Sequence, residues 1–341
     1  MSASPSSRRV FQVPPTDSGK RLDAVLTAQL AAFRRISRTT VQAWIEEGRI
    51  RVDGQPVTRP SARLGEGQEV EVTFPPPPPR EPEPEAREVT LSILHEDDDL
   101  LALDKPPGVL VHPSAKRRSG TLYDALVEHV PSPHLVSRLD EDTSGVMLVA
   151  KSPEMHTALG KALRAAGAAK DYLAIAYGSS PHDKGRIDLK ILRDPEDPRR
   201  RITSPTEGQD STTLFEKLGE VDAAGVPLML LRCRLVTGRT HQIRVHLRGR
   251  GWPLVGDPLY GLPHWRGIRD PETAAACRDF PRQALHAFRV AFAHPRTGAA
   301  VDLTAPVPAD LAQLLAATGL DVSVSTALPL SLDRRSISDS P

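Results

Sequence analysis

Five consecutive prolines at positions 75–79 divide this chain into two parts. Proline fixes its own φ angle and lacks a backbone N–H, so such a run cannot continue a helix or the interior of a sheet. The acidic, proline-rich segment EPEPEARE follows almost directly. We therefore predict that residues 75–88 form a stiff linker between two domains. Recognition by a proline-binding domain is an alternative, but a domain boundary suffices to explain the segment.

The composition is that of a soluble globular protein. The 341 residues are 39% hydrophobic and 26% charged, enough for two domains with their own cores. No apolar stretch reaches the roughly 18 residues of a membrane span, and the N-terminus lacks the apolar segment of a signal peptide. Cys233 and Cys277 lack metal-ligand spacing and are expected to be buried thiols. We expect a cytoplasmic protein that neither binds a metal nor enters a membrane.

Charged residues are distributed unevenly, although the net charge is only +1. Residues 20–63 carry nine basic and four acidic side chains, whereas residues 80–100 carry two basic and eight acidic ones. Residues 226–250 contain six arginines and no acid. Basic blocks separated by an acidic one indicate localised contact with a polyanion rather than a generally basic surface.

The part before the prolines has the pattern of a small α/β domain over residues 11–74. Apolar residues at helical spacing predict a helix that starts at Arg21. Ser37 and Gly48 suit the N-cap and the end of a second helix. Asp53-Gly54 between two short β-prone stretches predicts a hairpin with a type I′ turn, and Val70–Val72 a closing strand. Residues 1–10 are rich in serine and are predicted to be a disordered tail.

The part after the linker, residues 89–319, combines many predicted strands with few helices. The strands are expected at residues 91–95, 100–104, 146–150, 172–177, 228–235 and 288–292. Ser152-Pro153 predicts the start of a helix that ends near Gly167. This order is typical of an α+β domain with a mixed, mostly antiparallel sheet flanked by helices. Residues 186–213 are interpreted as an insertion, and the serine-rich residues 320–341 as a mobile tail.

One polar turn, in the stretch VSRLDEDTSGVMLVAK, stands out within the second domain. Arg138 and Asp140 come directly before this turn, residues 141–145. The apolar run Val146–Ala150 that follows it predicts a buried strand. The carboxylate of Asp140 is therefore expected to be fixed on a rigid edge. Either it caps its own turn, as an aspartate often does, or it is the reactive carboxylate of an active site.

Motifs of several common enzyme classes are missing, which narrows the chemistry. The sequence has no Walker A loop, GxGxxG, HExxH, CxxC or GxSxG pattern. Nucleotide hydrolysis, dinucleotide redox chemistry, zinc chemistry and serine hydrolysis therefore lose support. Five other blocks are distinctive: LDKPPGVLVHPSAKRRSGTLYDAL, SRLDEDTSGVMLVAK, KDYLAIAYG, LVTGRTHQIRVHL followed by GDPLYG, and RQALHAFRVAFAHP.

In this order, the five blocks resemble the RluA/RluD-type family of RNA pseudouridine synthases, from about Val89 to Gly319. The N-terminal domain resembles the RNA-binding domain named after small-subunit ribosomal protein four, through RLDAVL, SRTTVQAWIEEGRIRVDGQPV and GEGQEVEV. The resemblance implies an enzyme that isomerises uridine in RNA to pseudouridine without a cofactor. Large-subunit ribosomal RNA is the implied substrate, with transfer RNA as the alternative, and a monomer is expected.

The same resemblance implies roles for individual residues. Asp140 corresponds to the catalytic aspartate of the family, and Arg138 to an arginine associated with flipping the target nucleotide. Tyr172 matches a tyrosine that packs on the uracil and is implicated in removing the C5 proton. Arg239 matches the basic residue that pairs with the aspartate, and Leu285 matches an apolar contact beside the site.

The resemblance also assigns RNA contacts in the N-terminal domain. The arginines of the second helix, Arg34, Arg35 and Arg38, would face the RNA, whereas in the alternative they only solvate an amphipathic helix. One departure from the family lies at the active site. The usual histidine before RLD is replaced by Ser137, which removes an imidazole there but leaves the aspartate intact.

Several other polar or aromatic residues of the second domain are interpreted as structural or as solvating a surface. They are His112, His286, Arg244, Arg248, Trp252 and Tyr260. The arginine-rich residues 226–250, together with His241 and His246, are also expected to hold RNA phosphates.

The residue types suit this isomerisation. The reaction breaks the N1–C1′ bond, turns the base and joins C5 to C1′, so that no electron or group leaves. An ionised aspartate can attack either C6 of the base or C1′ of the ribose, and a neighbouring guanidinium can orient it. The target base must leave its helical stack, which requires a wedge and an aromatic platform. Arg138 and Tyr172 are candidates for these two parts.

Two rival interpretations stay open on the sequence alone. Residues 140–143, DEDT, approach the DxDxT pattern of haloacid-dehalogenase-type phosphohydrolases, which bind Mg²⁺, although the threonine stands one position too early. In that fold, moreover, the apolar strand precedes the motif, and here it follows. The N-terminal domain alone would also suit a non-catalytic RNA-binding or ribosome-assembly protein. Turnover assays would separate these interpretations from the isomerase.

Overall fold

The computed structural model describes residues 8–31, 38–74, 89–113 and 119–321. The chain separates into two compact units, residues 1–82 and 83–341. The boundary lies within the predicted linker, although residues 75–88 themselves are outside the described ranges, as are Arg34, Arg35 and residues 322–341. No helix among the described residues is long and apolar enough to cross a membrane.

The N-terminal unit is a four-stranded antiparallel sheet in the order β1-β4-β2-β3, packed with two helices. Its elements are β1 (Arg8–Gln12), α1 (Leu22–Ala31), α2 (Arg38–Glu46), β2 (Ile50–Val52), β3 (Gln55–Pro56) and β4 (Glu69–Thr73), with a 3-10 helix at Pro15–Asp17. The predicted disordered tail is wrong for Arg8–Val10, because β1 pairs with β4. At the hairpin, Asp53 and Gly54 both have positive φ angles, +50° and +77°, which confirms the type I′ turn.

Arg38 has a structural role in this unit. Its guanidinium donates two hydrogen bonds, of 3.2 and 3.0 Å, to the carboxylate of Asp23, which is fully buried. Arg21 and Gln42 donate to the same carboxylate. These bonds, with Arg21 first, hold the pKa of Asp23 well below its usual range. Arg38 thus neutralises a buried acid, while its side chain stays half-exposed and the RNA contact expected for it remains a prediction.

The C-terminal unit is built on a ten-stranded mixed sheet, which confirms the predicted α+β class. Eight strands follow the order β10-β13-β14-β9-β15-β8-β6-β5, while β16 pairs with β15 and β7 with β8. These strands are β5 (Ile93–Glu96), β6 (Leu100–Lys105), β7 (His134–Leu135), β8 (Ser144–Ala150), β9 (Ala169–Tyr177), β10 (Lys184–Asp188), β13 (Thr212–Asp222), β14 (Pro227–Leu235), β15 (Leu285–Ala293) and β16 (Ala300–Thr304). Among the described strands, only β8 and β15 pair in parallel.

Five helices and a separate hairpin complete this unit as the structure describes it. The helices are α3 (Leu122–His129), α4 (Pro153–Ala162), α5 (Gln242–Gly249), α6 (Pro271–Asp279) and α7 (Ala309–Thr318), with a 3-10 helix at His264–Gly267. The hairpin consists of β11 (Lys190–Arg193) and β12 (Arg201–Ser204). The segment interpreted as an insertion, residues 186–213, thus contains the end of β10, this hairpin and the start of β13.

Two local predictions are tested at the ends of elements. Ser152 caps α4 as expected, since its hydroxyl accepts a 3.1 Å hydrogen bond from the N–H of Met155. The mobile tail predicted from residue 320 starts too early, because Leu320 is buried in the core formed with Leu311 and Leu315 of α7.

Candidate active site

Asp140 lies in the turn that leads into β8, the most deeply buried strand of the sheet. Every residue of β8 is buried, and its first two residues, Ser144 and Gly145, pair in parallel with His286 and Ala287 of β15. The turn therefore emerges beside a parallel pair within an otherwise antiparallel sheet. The Asp140 side chain is 27% exposed and faces a cavity of about 840 Å³. The prediction that the apolar run after the turn is a buried strand is confirmed.

A buried lysine fixes the turn from one side. Lys105 is fully buried, and its Nζ donates to the carbonyl oxygens of Glu141 at 2.7 Å, Pro106 at 2.8 Å and Val109 at 2.9 Å. The N–H of Gly108 donates to the same Glu141 carbonyl. Burial lowers the pKa of Lys105 to about 8. The KPPG segment is thus tied to the backbone one residue after Asp140.

Residues just before β15 fix the turn from the other side. Arg282 donates from Nη1 to the carbonyl oxygen of Asp142 at 3.0 Å and forms a bidentate pair with Asp310. Gln283 donates to the hydroxyl of Thr143 at 3.0 Å. The backbone carbonyls of Glu141 and Asp142 and the hydroxyl of Thr143 are thus the groups that hold the turn.

The arginine that contacts Asp140 is Arg244, on α5. Its Nη1 donates to Asp140 Oδ2 at 2.8 Å, while Nε and Nη2 donate to the two oxygens of Asp257 at 2.7 and 2.8 Å. This corrects the expected pairing of Arg239 with Asp140. Arg239 is exposed, and its Nε donates to the carbonyl oxygen of Asp210 at 3.2 Å. The expectation that Arg244 only solvates a surface is likewise wrong, since Arg244 is 4% exposed.

The charges around Arg244 are strongly coupled. Burial lowers its pKa, but the hydrogen bonds and charges of Asp257 and Asp140 outweigh burial, so the net pKa lies above the ordinary value for arginine. Burial raises the pKa of Asp257, and the bonds from Arg244 reverse that shift, leaving it lowered. The N–H groups of Leu259 and Tyr260 also donate to Asp257. A cation anchored in this way presents a fixed positive charge to Asp140.

His241 and Tyr260 form a second layer beside the carboxylate. His241 Nε2 lies 3.9 Å from Asp140 Oδ2, and its Nδ1 lies 2.8 Å from the hydroxyl of Tyr260. Burial lowers the pKa of His241. Tyr260 is 2% exposed, and Arg244 lies over its ring with 5.1 Å between the guanidinium carbon and the ring centroid. Tyr260 packs in the core as predicted, but it also contacts the site.

Tyr172 and Leu285 contribute apolar walls of the same cavity as Asp140. Tyr172 lies on β9 opposite Cys233 of β14, and Leu285 begins β15 and is buried. Burial raises the pKa of the Tyr172 phenol well above its usual value. The structure therefore brings together an acid, an aromatic ring and an aliphatic side chain that are distant in sequence, as the resemblance implied.

Cationic side chains occupy the rim of the cavity. Arg138 and Arg239 are exposed and line it, together with Arg164 and Lys170. Ser137, at the position of the usual histidine, also lines the cavity. Because these cations line the cavity, it suits an anionic ligand.

Fewer basic side chains of residues 226–250 are exposed to solvent than the composition of this segment suggests. Arg232 is 1% exposed and lies 3.6 Å from Glu216, and Arg234 forms a pair with Asp171. His246 is fully buried and hydrogen-bonded to Ser211, Thr213 and the Leu189 carbonyl. The expectation that all of these residues hold phosphates is therefore wrong for the buried ones.

His286 is a structural residue, as predicted, and His112 is exposed at the cavity. His286 lies 3.0 Å from the hydroxyl of Ser144 and helps to join β15 to β8. The site residues that sequence reasoning missed are Lys105, His241, Arg244, Asp257 and Tyr260. For Arg244 the spacing gave no usable signal, because the left-handed backbone of His241, just before α5, is not specified by a local pattern.

The chain is similar to known RNA-modifying enzymes over nearly its whole length. The sequence profile of RNA pseudouridylate synthases matches residues 99–248, and that of the S4 domain matches residues 20–70. Ribosomal large subunit pseudouridine synthase D of Xanthomonas campestris is 40% identical over 322 residues, covering 92% of this chain and 93% of the relative. The enzyme of the same name from Neisseria meningitidis is 36% identical over 334 residues, covering 96% and 86%.

A solved structure agrees with these sequence matches. Human RNA pseudouridylate synthase domain containing 1 superposes with a TM-score of 0.52 at 28% identity, covering 70% of this chain and 90% of that structure. The matches support neither the phosphohydrolase nor the non-catalytic interpretation. The chain belongs to the RNA pseudouridine synthase family and is an isomerase with an N-terminal S4 domain.

Proposed function

We propose that this enzyme converts uridines of large-subunit ribosomal RNA to pseudouridine, with Asp140 as the attacking carboxylate. The observation that carries the proposal is the fixed position of Asp140, which is held by Arg244 at 2.8 Å in a cavity lined by Tyr172 and Leu285. Its turn is tied down by Lys105 and the residues just before β15, so the carboxylate needs little reorganisation to react.

The proposed chemistry conserves all atoms of the uridine. Asp140 forms a bond to C6 or C1′ of the bound uridine, the N1–C1′ bond breaks, and the base turns. C5 then joins C1′, the bond to Asp140 breaks, the C5 proton moves to solvent, and N1 takes up a proton. The cation of Arg244 compensates the carboxylate charge before attack and after its release. Because the substrate supplies every atom and electron, the proposal requires no cofactor.

Tyr172 is proposed to act mainly as a packing surface for the uracil. Its phenol is buried, and the raised pKa keeps it neutral at physiological pH, so it is a poor base for the C5 proton unless another group accepts the phenol proton. Leu285 would contact the opposite face or edge of the base. Arg138, exposed at the rim, is proposed to take the place of the target nucleotide when it leaves its stack.

Arg239 is proposed to bind an RNA phosphate rather than to activate Asp140. It is exposed at the rim and its recorded side-chain hydrogen bond is to a backbone carbonyl, which leaves several N–H donors for a phosphate. The proposal of ribosomal RNA as substrate rests on the names of the two relatives and on the S4 domain. Transfer RNA is the alternative that the experiment below distinguishes.

The test is pseudouridine mapping on total RNA from cells that lack this gene. Complementation with the wild-type gene should restore one or a few sites in large-subunit ribosomal RNA, whereas Asp140→Asn should restore none. The asparagine variant should still bind RNA, because it removes one charge inside the cavity and none at the rim. Restoration by Asp140→Asn would refute the role of Asp140, and restored sites confined to transfer RNA would refute the substrate.

A further inference from the structure

The buried hydroxyl of Tyr260 connects the β11–β12 hairpin to the active site. It accepts a 2.8 Å hydrogen bond from the backbone N–H of Arg201, at the start of β12. On its other side it lies 2.8 Å from Nδ1 of His241, and the two rings meet edge to face with centroids 5.6 Å apart. The hydroxyl of Tyr260 thus has two hydrogen-bond partners, the backbone of Arg201 and the ring of His241.

These contacts determine where the protons lie. Burial raises the pKa of Tyr260, so the phenol keeps its proton, and a buried hydroxyl proton needs an acceptor. Arg201 is a donor, and within the described part of the chain the remaining partner of this hydroxyl is His241 Nδ1. Nδ1 therefore accepts a hydrogen bond from the phenol O–H. A neutral imidazole carries a single proton, which must then be on Nε2.

Nε2 is the ring nitrogen of His241 that lies near Asp140. It lies 3.9 Å from Asp140 Oδ2, the same oxygen that receives the 2.8 Å bond from Arg244. No described residue donates to the other oxygen, Oδ1. His241 also has a left-handed backbone, with φ +58°, immediately before α5. Such a backbone is uncommon outside glycine and is maintained where a side chain must be held in a particular direction.

We propose that Tyr260 fixes the Nε2–H tautomer of His241, and that His241 is a positioning residue whose Nε2–H joins Arg244 on Asp140 Oδ2 when RNA closes the site. Both donors then occupy Oδ2, and Oδ1 is the oxygen left to attack the nucleotide. This inference rests on the proposed role of Asp140 as the attacking carboxylate. Tyr260 and His241 thereby help to determine which oxygen of Asp140 attacks the nucleotide.

The tautomer can be measured directly, without activity. Nitrogen NMR of the full-length enzyme labelled with ¹⁵N-histidine distinguishes a protonated from an unprotonated ring nitrogen. We expect the His241 signals, assigned by their loss in His241→Gln, to show a protonated Nε2 in the wild type. In Tyr260→Phe the phenol proton is gone, so Nδ1 should carry the proton in part or all of the molecules. A wild-type signal with the proton on Nδ1 would overturn the proposal.

The pH profile of Tyr260→Phe provides a readout that a purely structural role would not change. At neutral pH its kcat should fall roughly tenfold, about the effect of one lost hydrogen bond, while KM stays close to the wild-type value. As the pH falls, His241 takes up a second proton and Nε2–H is restored, so the deficit should shrink. The charged groups that face His241 are Asp140, Arg244, Arg201 and Asp257, and all stay in the variant. A deficit that is constant with pH would overturn the inference.

Substitutions of His241 itself provide a second route if Tyr260→Phe folds poorly. In His241→Gln the amide N–H reaches about as far as Nε2, whereas in His241→Asn it reaches only as far as Nδ1. We expect the glutamine variant to keep severalfold more kcat than the asparagine variant, although asparagine tolerates the left-handed backbone better. His182→Gln, at an exposed histidine between β9 and β10, is the matched control. Equal activity of the two His241 variants would refute the positioning role of His241. An active Asp140→Asn would instead refute the proposed role of Asp140 as the attacking carboxylate.

Discussion

Arg244 stabilises the protein and organises the site through the same guanidinium. Asp257 has a fully buried side chain, and Arg244 supplies two of its hydrogen bonds. A charge buried this deeply is tolerated only with a partner, because removing one member of the pair leaves the other uncompensated. A third nitrogen of the same guanidinium, Nη1, donates a hydrogen bond to Asp140. The position of the Asp140 carboxylate thus depends on the buried ion pair between Arg244 and Asp257.

We expect Arg244→Met to lower the free energy of unfolding by about 3–5 kcal/mol and to abolish pseudouridine formation, because it leaves Asp257 unpaired and Asp140 unanchored. Chemical denaturation and a single-turnover assay measure the two effects. Adding Asp257→Asn to this variant should recover part of the stability but none of the activity, since it removes the buried charge without replacing the donor to Asp140.

Arg239→Met is the matched control for this prediction, five positions earlier in the chain. Its side chain is exposed, so its free energy of unfolding should stay within about 0.5 kcal/mol of wild type. RNA affinity should fall, and the slope of log K against log salt should decrease by about 1, the signature of one lost phosphate contact. A loss of kcat equal to that of Arg244→Met, with unchanged RNA affinity, would instead return Arg239 to the role of partner of Asp140.

The two arginines illustrate the limit of sequence reasoning at the scale of single residues. Asp140, Tyr172 and Leu285 could be identified because each lies in a distinctive block, and the structure places all three at one cavity. Arg239 and Arg244 lie in the same block and differ only in orientation. That orientation is set by the left-handed turn at His241, which starts α5 and directs Arg244 inward. Neither composition nor spacing specifies such a turn at a non-glycine residue.

At the scale of elements, the close approach of β8 and β15 is the feature that positions the Asp140 turn. Gly145 has a φ angle of +113°, and a Cβ atom there would lie 2.2 Å from the carbonyl oxygen of Ala287. Glycine is thus required both by its backbone and by the neighbouring strand. The parallel pairing begins at this residue and its predecessor, five positions or fewer from Asp140.

We expect Gly145→Ala to destabilise the enzyme by several kcal/mol and to reduce activity by more than tenfold, because the two strands must separate beside the turn. Thermal unfolding and the mapping assay test this. Gly298→Ala is the control: that glycine also has a positive φ, +72°, but open space around it, so only about 1–2 kcal/mol of backbone strain is expected, with activity kept. If the two variants lose stability equally, the contact with Ala287 is not the cause.

Local elements were predictable, whereas this pairing was not. The type I′ hairpin and the Ser152 cap depend on neighbouring residues whose preferences are strong, and both are confirmed. The pairing of Ser144 with His286 joins positions 142 residues apart in sequence, and β15 looks like any other apolar strand. Register between distant strands is set by packing of the whole sheet rather than by a local signal.

In the N-terminal unit, Arg38→Ala should act mainly on stability. The variant removes two of the hydrogen bonds that compensate the buried carboxylate of Asp23, at an expected cost of about 1–3 kcal/mol. Chemical denaturation checks the stability, and RNA binding is measured under conditions where the variant is folded. Arg59→Ala, at an exposed arginine of the same unit, should change stability by less than about 0.5 kcal/mol. Unchanged stability with weakened RNA binding in Arg38→Ala would favour the original RNA-facing role.

At the scale of the whole molecule, the net charge of +1 does not show that several ionisable groups are buried in the core. Residues 226–250 were expected to form a phosphate-binding surface, but Arg232, Arg244 and His246 are buried. Composition gives the number of charged residues, but it does not show which of them are exposed to solvent and which are paired with another charge. The division into two units was predictable because the proline run is a covalent constraint, independent of packing.

Two buried histidines of the catalytic unit should make the stability of the enzyme depend on pH. His246 and His286 are fully buried, and burial lowers the pKa of each to about 4, from an ordinary value near 6.5. Above pH 6.5 both histidines are neutral in the folded and the unfolded chain, and their contribution to stability is fully present. As the pH falls, the unfolded chain binds protons that the folded chain cannot accept until about pH 4, so this contribution is progressively lost.

We therefore expect the free energy of unfolding to decrease between pH 6.5 and 4.5, by on the order of 2–3 kcal/mol for each histidine. Carboxylates with lowered pKa values, such as Asp257, lose their stabilising contribution only at lower pH, so the histidines dominate this window. Denaturant unfolding at a series of pH values measures the slope. His246→Gln keeps polar groups near Ser211 and Thr213 but does not titrate, and the slope should fall to about half. The same slope in the wild type and this variant would mean that other groups take up the protons.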